Sequence, residues 1–305
     1  MSLCIIGQEK SESNIRLIEE AKRYFDTVYF APITGINIGL NDRFYINHKS
    51  SSLLDFDAIL PRVPRKFYSY AYQLLSLFPQ DKFMAIPPIA FLIAAERFFL
   101  LTVLRKRDIP VLNLKLARSP EAAARILEEV DFPIIIRDPG QKTGIIANKT
   151  LEAKSVIDAL GSLDQPVLIE EPVKQMVSAY VADPEVLAAV KKHTKEKDVV
   201  FSAGEMKKHK LDLSMESLAL DTAKAMNVRI VRVDMSTGRE PKVVNIELNP
   251  DIIRPSRVTG VNIPRKMMET IHGSYSSHLK KPMLVKFFED AKSVVRDVFR
   301  EKHLL

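Results

Sequence analysis

The chain opens on a short apolar run, Leu3-Cys4-Ile5-Ile6, closed by Gly7. Unbroken apolarity over so few residues marks a strand covered on both faces, as in a parallel sheet. A polar stretch from Ser11 to Asn14 then precedes Ile15, Leu17, Ile18, Ala21 and Tyr24 at helical spacing, and residues 27–31 are extended again. This predicts a βαβ unit. A strand over 58–62 and a helix over 68–77 complete a small open α/β sheet within residues 1–85. Pro87-Pro88 then opens an apolar helix over 89–107, followed by an extended segment at 109–112. Ser119-Pro120-Glu121 caps a helix reaching residue 129, with Pro at its first position. Residues 133–137 and 145–147 read as a hairpin around a glycine-bearing turn, followed by a helix at 151–160 and a strand at 167–170. The last third predicts a hairpin over 179–190, a helix at 214–226, strands at 230–235 and 243–249, and helices near 264–272 and 283–301.

Composition narrows the class without naming a function. The 305 residues are 46% hydrophobic and 27% charged, ordinary for a folded chain of two or three subdomains. No apolar run reaches the roughly 18 residues of a membrane span. The single Cys4 excludes a disulfide framework, and the N-terminus shows no secretory pattern, so a cytoplasmic location is expected. The net charge of +7 is unevenly placed: residues 61–117 and 254–305 each carry +6, whereas residues 118–185 carry −5. An anionic partner fits this surplus, although solvated helix faces produce similar blocks.

Candidate chemistry lies in acids inside apolar strands. Asp234 ends the run from Ile230, while Glu247 and Asn249 stand two apart and therefore on one side of their strand. Burying an unpaired carboxylate costs several kcal/mol, so strand-end acids need a partner. Three oxygen donors on two adjacent strands suit Mg²⁺ or Mn²⁺; a solvent-facing Glu247 and a turn-capping Asp234 are the plain alternative. The turn Gly140-Gln141-Lys142-Thr143-Gly144 can fold over phosphates, because glycine admits close backbone approach, or can be a simple hairpin loop. Glu170-Glu171-Pro172-Val173 stops a buried strand and reads equally as a linker.

In this order the features resemble the ATP-grasp superfamily, and within it the RimK-type amino-acid ligases. The resemblance runs from about Leu3 to Thr270. It rests on 59–63, Ala94 to Arg97 with Leu100 and Leu101, 109–111, 117–119, the hairpin of 134–144, 168–173, the acids above, and 257–263 with Lys266 and Met267. It implies an ATP-grasp fold: an N-terminal α/β domain (1–85), a central subdomain (86–172) and a C-terminal subdomain with the metal site (173–305), the last two clamping ATP. It also implies that ATP and Mg²⁺ activate a carboxylate as an acyl phosphate, which the amine of an amino acid, usually glutamate, attacks. Arg97 and Arg137 stand where the family has phosphate-contacting lysines, Glu170 to Val173 match the adenine hinge, and Asp234, Glu247 and Asn249 match the metal ligands.

The departures leave a second reading open. Met176 and Ser178 replace an Asp and an Arg of the family's pattern, and Ser178 is kept as a nucleotide-side position. Arg254 or Arg257 is expected to replace the lost arginine and to face the acidic acceptor, and the cluster of Lys207, Lys208 and Lys210 is expected to converge with Arg97 and Arg137 on polyphosphate. The expected partners are a nucleotide and an acidic small molecule or polypeptide; nucleic acid is not favoured, since no stacking platform or recognition helix is present. The last helix suits packing on the core or on a twin subunit. The alternative to an active carbon–nitrogen ligase is a catalytically impaired relative that binds nucleotide or a partner.

Overall fold

The computed structural model describes residues 1–139, 144–173, 175–192 and 206–280. The expectations for Gly140, Gln141, Lys142 and Thr143, and for a helix at 283–301, lie outside the described residues. The first unit runs β1 (Ser2–Gly7), α1 (Glu12–Ala21), β2 (Thr27–Pro32), β3 (Ile36–Leu40), β4 (Phe44–His48), β5 (Ser51–Ser52), β6 (Ala58–Arg62), α2 (Tyr68–Ser76) and β7 (Phe83–Met84). Its parallel sheet has the order β2-β1-β6-β7. The chain turns first to one side of β1 and then to the other, so a switch point falls between β1 and β6, with Gly7 and Arg62 paired at their carboxyl ends. Open α/β sheets take ligands at such crevices. The apolar pattern gives no element for residues 32–57, yet β3, β4 and β5 form a small antiparallel sheet there. Its strands carry Gly39, Asn37 and Asn47 and are only partly covered, so few apolar positions announce them.

The long apolar helix expected over 89–107 is two helices, α3 (Pro88–Ala95) and α4 (Arg97–Arg105). Glu96 breaks the run with extended backbone angles, φ −120° and ψ 132°. The Ala95 carbonyl accepts Arg65 Nε at 3.2 Å and Arg65 Nη2 at 2.9 Å, so a side chain from outside the helices holds the bend. Arg97 therefore begins α4, buried, instead of continuing a surface turn.

A second sheet follows, built from β8 (Leu114–Ala117), α5 (Pro120–Leu127), β9 (Ile134–Arg137), β10 (Ile145–Ala147), α6 (Thr150–Ser162) and β11 (Val167–Glu170), in the order β10-β9-β11-β8. Ser119 caps α5 by accepting from the Ala122 N–H at 3.2 Å. Ile134, Ile136, Val167 and Ile169 pack with Ala123, Leu127, Ala153 and Ile157 of α5 and α6 into one cluster. Strand alternation then sends Arg137 and Glu170 to the opposite face.

The third sheet comprises β12 (Met176–Ala182), β13 (Glu185–Lys192), β14 (Met206–Lys208), α7 (Leu213–Ala225), β15 (Ile230–Ser236) and β16 (Val243–Glu247), and then come α8 (Ile253–Thr259) and α9 (Ile263–Lys280). Its order is β14-β13-β12-β15-β16. The strand expected over 243–249 stops at Glu247, leaving Asn249 beyond it. Helix α8, which the sequence pattern did not predict, ends at Gly260, whose φ of +76° is the left-handed cap that glycine adopts without strain. One buried cluster joins Ile6 of the first unit and Phe91 of α3 to Val233 and Ile246 of the third sheet, so these elements share a core. Among the described residues no helix is long and apolar enough to cross a membrane.

Candidate active site

Two strand ends and the start of α4 bring together the first charged cluster. Glu170, last in β11, accepts from Arg97 Nε at 2.7 Å and is also bridged by Arg137 Nη2 from β9. All three side chains are at most 5% exposed. Arg97 Nη1 donates in addition to the Val244 carbonyl at 2.5 Å. The β15–β16 register shifts between Asp234 and Met235, where Val244 is the extra residue of a bulge. A bulge frees backbone groups from the ladder, and Arg97 takes this one. One guanidinium thus pins the second sheet to the third. Burial depresses the Arg137 pKa, an effect that Glu170 opposes and Arg97 and Arg65 reinforce. Two cations around one carboxylate leave a buried positive excess, suited to an anion.

The second cluster lies on one face of the third sheet. Ser178, Asp234 and Asn245 are direct cross-strand neighbours on β12, β15 and β16, as are Tyr180, Arg232 and Glu247 one step along. Asp234 Oδ1 accepts from Ser178 Oγ at 2.6 Å and Arg232 Nε at 2.8 Å; Oδ2 accepts from Arg232 Nη2 at 2.8 Å and Asn245 Nδ2 at 3.3 Å. Burial works against the Arg232 charge, but Asp234 outweighs it and holds the guanidinium protonated. Burial, with Asp234 adding to it, likewise pushes the Tyr180 hydroxyl up to about 12.

Glu247 ends β16 beside the first unit. Its Oε1 accepts from Tyr68 Oη at 3.0 Å and from the Asn249 N–H at 3.3 Å. Burial, followed by the adjacent Glu247 charge, raises the Tyr68 pKa well above its ordinary value. Arg62, at the switch point, donates from Nη2 to the Pro250 carbonyl at 2.9 Å, and burial lowers its pKa to about 10 despite Glu247. Its Nε and Nη1 are buried without a hydrogen-bond partner among the described residues.

These donors meet the requirement of a hard cation in part. Glu247 and Asn249 offer a carboxylate and an amide oxygen, the donor types Mg²⁺ takes beside phosphate and water. Asp234 differs, because four hydrogen bonds already fill the roughly four lone-pair sites of its carboxylate. Among the described residues no three His, Cys, Asp or Glu side chains group as a metal cage.

The remaining expected positions spread out. Ser178 is fully buried and its hydroxyl is committed to Asp234. Glu171 is exposed, Pro172 and Val173 are half-buried directly after β11, and Gly144 leads into β10. Lys207 pairs with Lys191, Val177 and Met235 across the sheet, so the pleat sends it to the face opposite Asp234; Lys208 shares the Asp234 row. Arg254 and Arg257 are exposed on α8, and Arg257 is ion-paired with Glu12. Arg257 also lines a cleft of about 640 Å³ between α1 and the α8–α9 turn, whose walls include neither Glu170 nor Asp234. Sequence reasoning missed Arg62, Arg65, Tyr68, Arg232 and Asn245. For Arg232 a signal was present: Arg-Val-Asp alternation puts Arg232 and Asp234 on one side of a strand.

Comparison with known proteins bears on the family and the fold. The profile of the RimK-like ATP-grasp domain matches residues 94–271, more than half of the chain. A ribosomal protein bS6–L-glutamate ligase of Escherichia coli O81 (strain ED1a) is 25% identical over 244 residues, 74% of this chain and 80% of the relative. The ATP-grasp ligase PsnB, solved with a minimal precursor, Mg and ADP, superposes with a TM-score of 0.69 at 14% identity, covering 90% of this chain and 98% of that one. The macrocyclase MdnC from Microcystis aeruginosa MRC, bound with precursor peptide MdnA, gives 0.68 at 12% identity, covering 90% and 100%.

Proposed function

The chain belongs to the RimK-like ATP-grasp family, and from that premise we propose that it is an ATP- and Mg²⁺-dependent carboxylate–amine ligase that adds an amino acid, glutamate, to an acidic acceptor, either a small molecule or a polypeptide. The observation that carries the reading is Arg97, which joins Glu170 of one sheet to the Val244 carbonyl of the next and so sets a cation where the two sheets meet. Arg97 and Arg137 bind polyphosphate oxygens, and Gly140, Gln141, Lys142, Thr143 and Gly144 belong to the same nucleotide-binding set. The backbone of Glu170 to Val173 takes the adenine edge. Glu247 and Asn249 hold the divalent ion, which supplies charge neutralisation as the phosphoryl group moves.

In the reaction, an acceptor carboxylate oxygen attacks the γ-phosphorus and ADP departs; the amine nitrogen then attacks the acyl carbon, phosphate leaves and the nitrogen loses a proton. Arg254 and Arg257, exposed on α8, attract the acidic acceptor. The peptides bound to PsnB and MdnC support a polypeptide among the candidates. The test is ADP release with panels of amino acids and acidic acceptors, alongside calorimetric titration with MgADP. Turnover that requires glutamate supports the reading, and no nucleotide binding at millimolar concentration overturns it. A second reading, a nucleotide-binding relative without turnover, draws support from Ser178 and Asp234, which are engaged with each other and with Arg232; binding without ADP release would identify it.

A further inference from the structure

Arg232 occupies the place between two carboxylates. It is two residues before Asp234 on β15, hence on the same side of the strand, and it lies directly across from Glu247 on β16. Its fork engages both oxygens of Asp234, with Nε on Oδ1 and Nη2 on Oδ2, each at 2.8 Å. Two-point contact by a planar guanidinium is the strongest and most directional ion pair available to a side chain. Tyr180, directly across from Arg232 on β12, hydrogen-bonds it from the other side, and the Arg232 side chain is only 15% exposed. Ser178 and Asn245 supply the remaining hydrogen bonds to Asp234. Every one of these partners comes from the same sheet, so the arrangement is built into the strand register and needs no loop to close over it.

A divalent ion approaching Asp234 therefore meets a carboxylate whose acceptor positions are filled and whose charge is already matched. To bind there it must displace a buried guanidinium, which would be left beside the new cation without its counter-charge. We propose that Arg232 is a built-in cation at Asp234, so that this site takes one divalent ion, at Glu247 and Asn249, where an unclamped Asp234 would admit a second. Arg232 is a positioning residue: it fixes Asp234 as a structural anion and takes over one of the positive charges that would otherwise come from metal. The inference rests on the nucleotide-site reading, because the ion count is defined only with nucleotide bound.

The test is a count of Mn²⁺ per chain by electron paramagnetic resonance in saturating ADP, with calorimetry of ADP in parallel. Wild-type protein is expected to bind one ion, Arg232→Met two, and Arg232→Lys one, since the lysine keeps the charge without the fork. Asp234→Asn is expected to leave the Mn²⁺ count at one, since the ion is held at Glu247 and Asn249; this variant keeps the idea testable where Arg232→Met fails to fold. Two ions on the wild type, one on a folded Arg232→Met, or no ion on Asp234→Asn at saturating ADP overturns the proposal while leaving the ligase reading intact. Absence of ADP binding by the wild type overturns both.

Discussion

Glu170 is the residue on which the buried charge of this site turns. Removing one member of a buried ionic group leaves the others uncompensated, at a cost of about 3–5 kcal/mol, far above that of a surface pair. Glu170→Gln keeps the shape of the side chain but leaves Arg97 and Arg137 facing each other, so a loss of that size is expected in urea denaturation, together with weaker packing of β11 on α4. Cys4 offers a different residue-scale prediction. Burial in β1 pushes its thiol up to about 12, whereas in the unfolded chain it ionises near its ordinary value of about 8.5. The folded state holds the proton longer, so stability is full below about pH 8.5 and falls as pH rises towards 12, by on the order of 5 kcal/mol. Tyr180 adds to this loss in the same direction above about pH 10. Cys4→Ala should flatten the lower part of that slope, as read from denaturation midpoints at pH 8, 9.5 and 11, and the native thiol should resist aromatic disulfide reagents at neutral pH.

At the scale of elements, the β9–β10 hairpin and the α3–α4 break decide where the cations point. Gly144 is required by a close approach: a Cβ there would lie 2.6 Å from Ile135 Cγ2 and 3.2 Å from the Ile136 carbonyl oxygen. The Ile135 methyl sits on a stiff β-branched side chain, so the strain falls on the pairing of β10 with β9. Gly144→Ala is expected to cost about 1–3 kcal/mol and to weaken nucleotide binding, because β9 carries Arg137. Urea midpoints and calorimetric titration with MgADP measure the two effects separately. Retained stability with lost affinity would place the effect on nucleotide contact and not on the pairing of β10 with β9.

At the scale of the whole molecule, units distant in sequence place Arg97 and Arg137 on the single buried carboxylate of Glu170, and this local positive excess makes a polyphosphate the natural counter-ion. A ligand held by the folded state alone stabilises it by about 2.7 kcal/mol at one hundred times its dissociation constant. Raised melting temperature is therefore expected with millimolar MgADP, a smaller rise in Arg97→Met, and a decline of the effect with added salt; scanning fluorimetry with a hydrophobic dye reads all three. A rise of equal size in Arg97→Met would remove Arg97 from the phosphate site.

The sequence by itself determined much of this protein. Apolar runs and capping residues marked β1, α1, β2, the β9–β10 hairpin and β15, because local periodicity and turn chemistry act over a few residues. The acids in strands drew attention to Asp234 and Glu247 for the same reason: a charge inside an apolar run is visible without knowing the fold. Tertiary structure alone decided what those charges do. Helix breaking at Glu96 depends on Arg65, thirty-one positions earlier in the chain, and nothing near Glu96 announces it. The saturation of Asp234 depends on the registers that bring Ser178 and Asn245 to it from two other strands. The facing of Lys207 away from Asp234 depends on a pleat counted across β13 and β12, where a shift of one residue reverses every side chain. Ion pairing is settled by distance in space, and for these residues the distance is set by strand register and by packing, which local pattern does not encode.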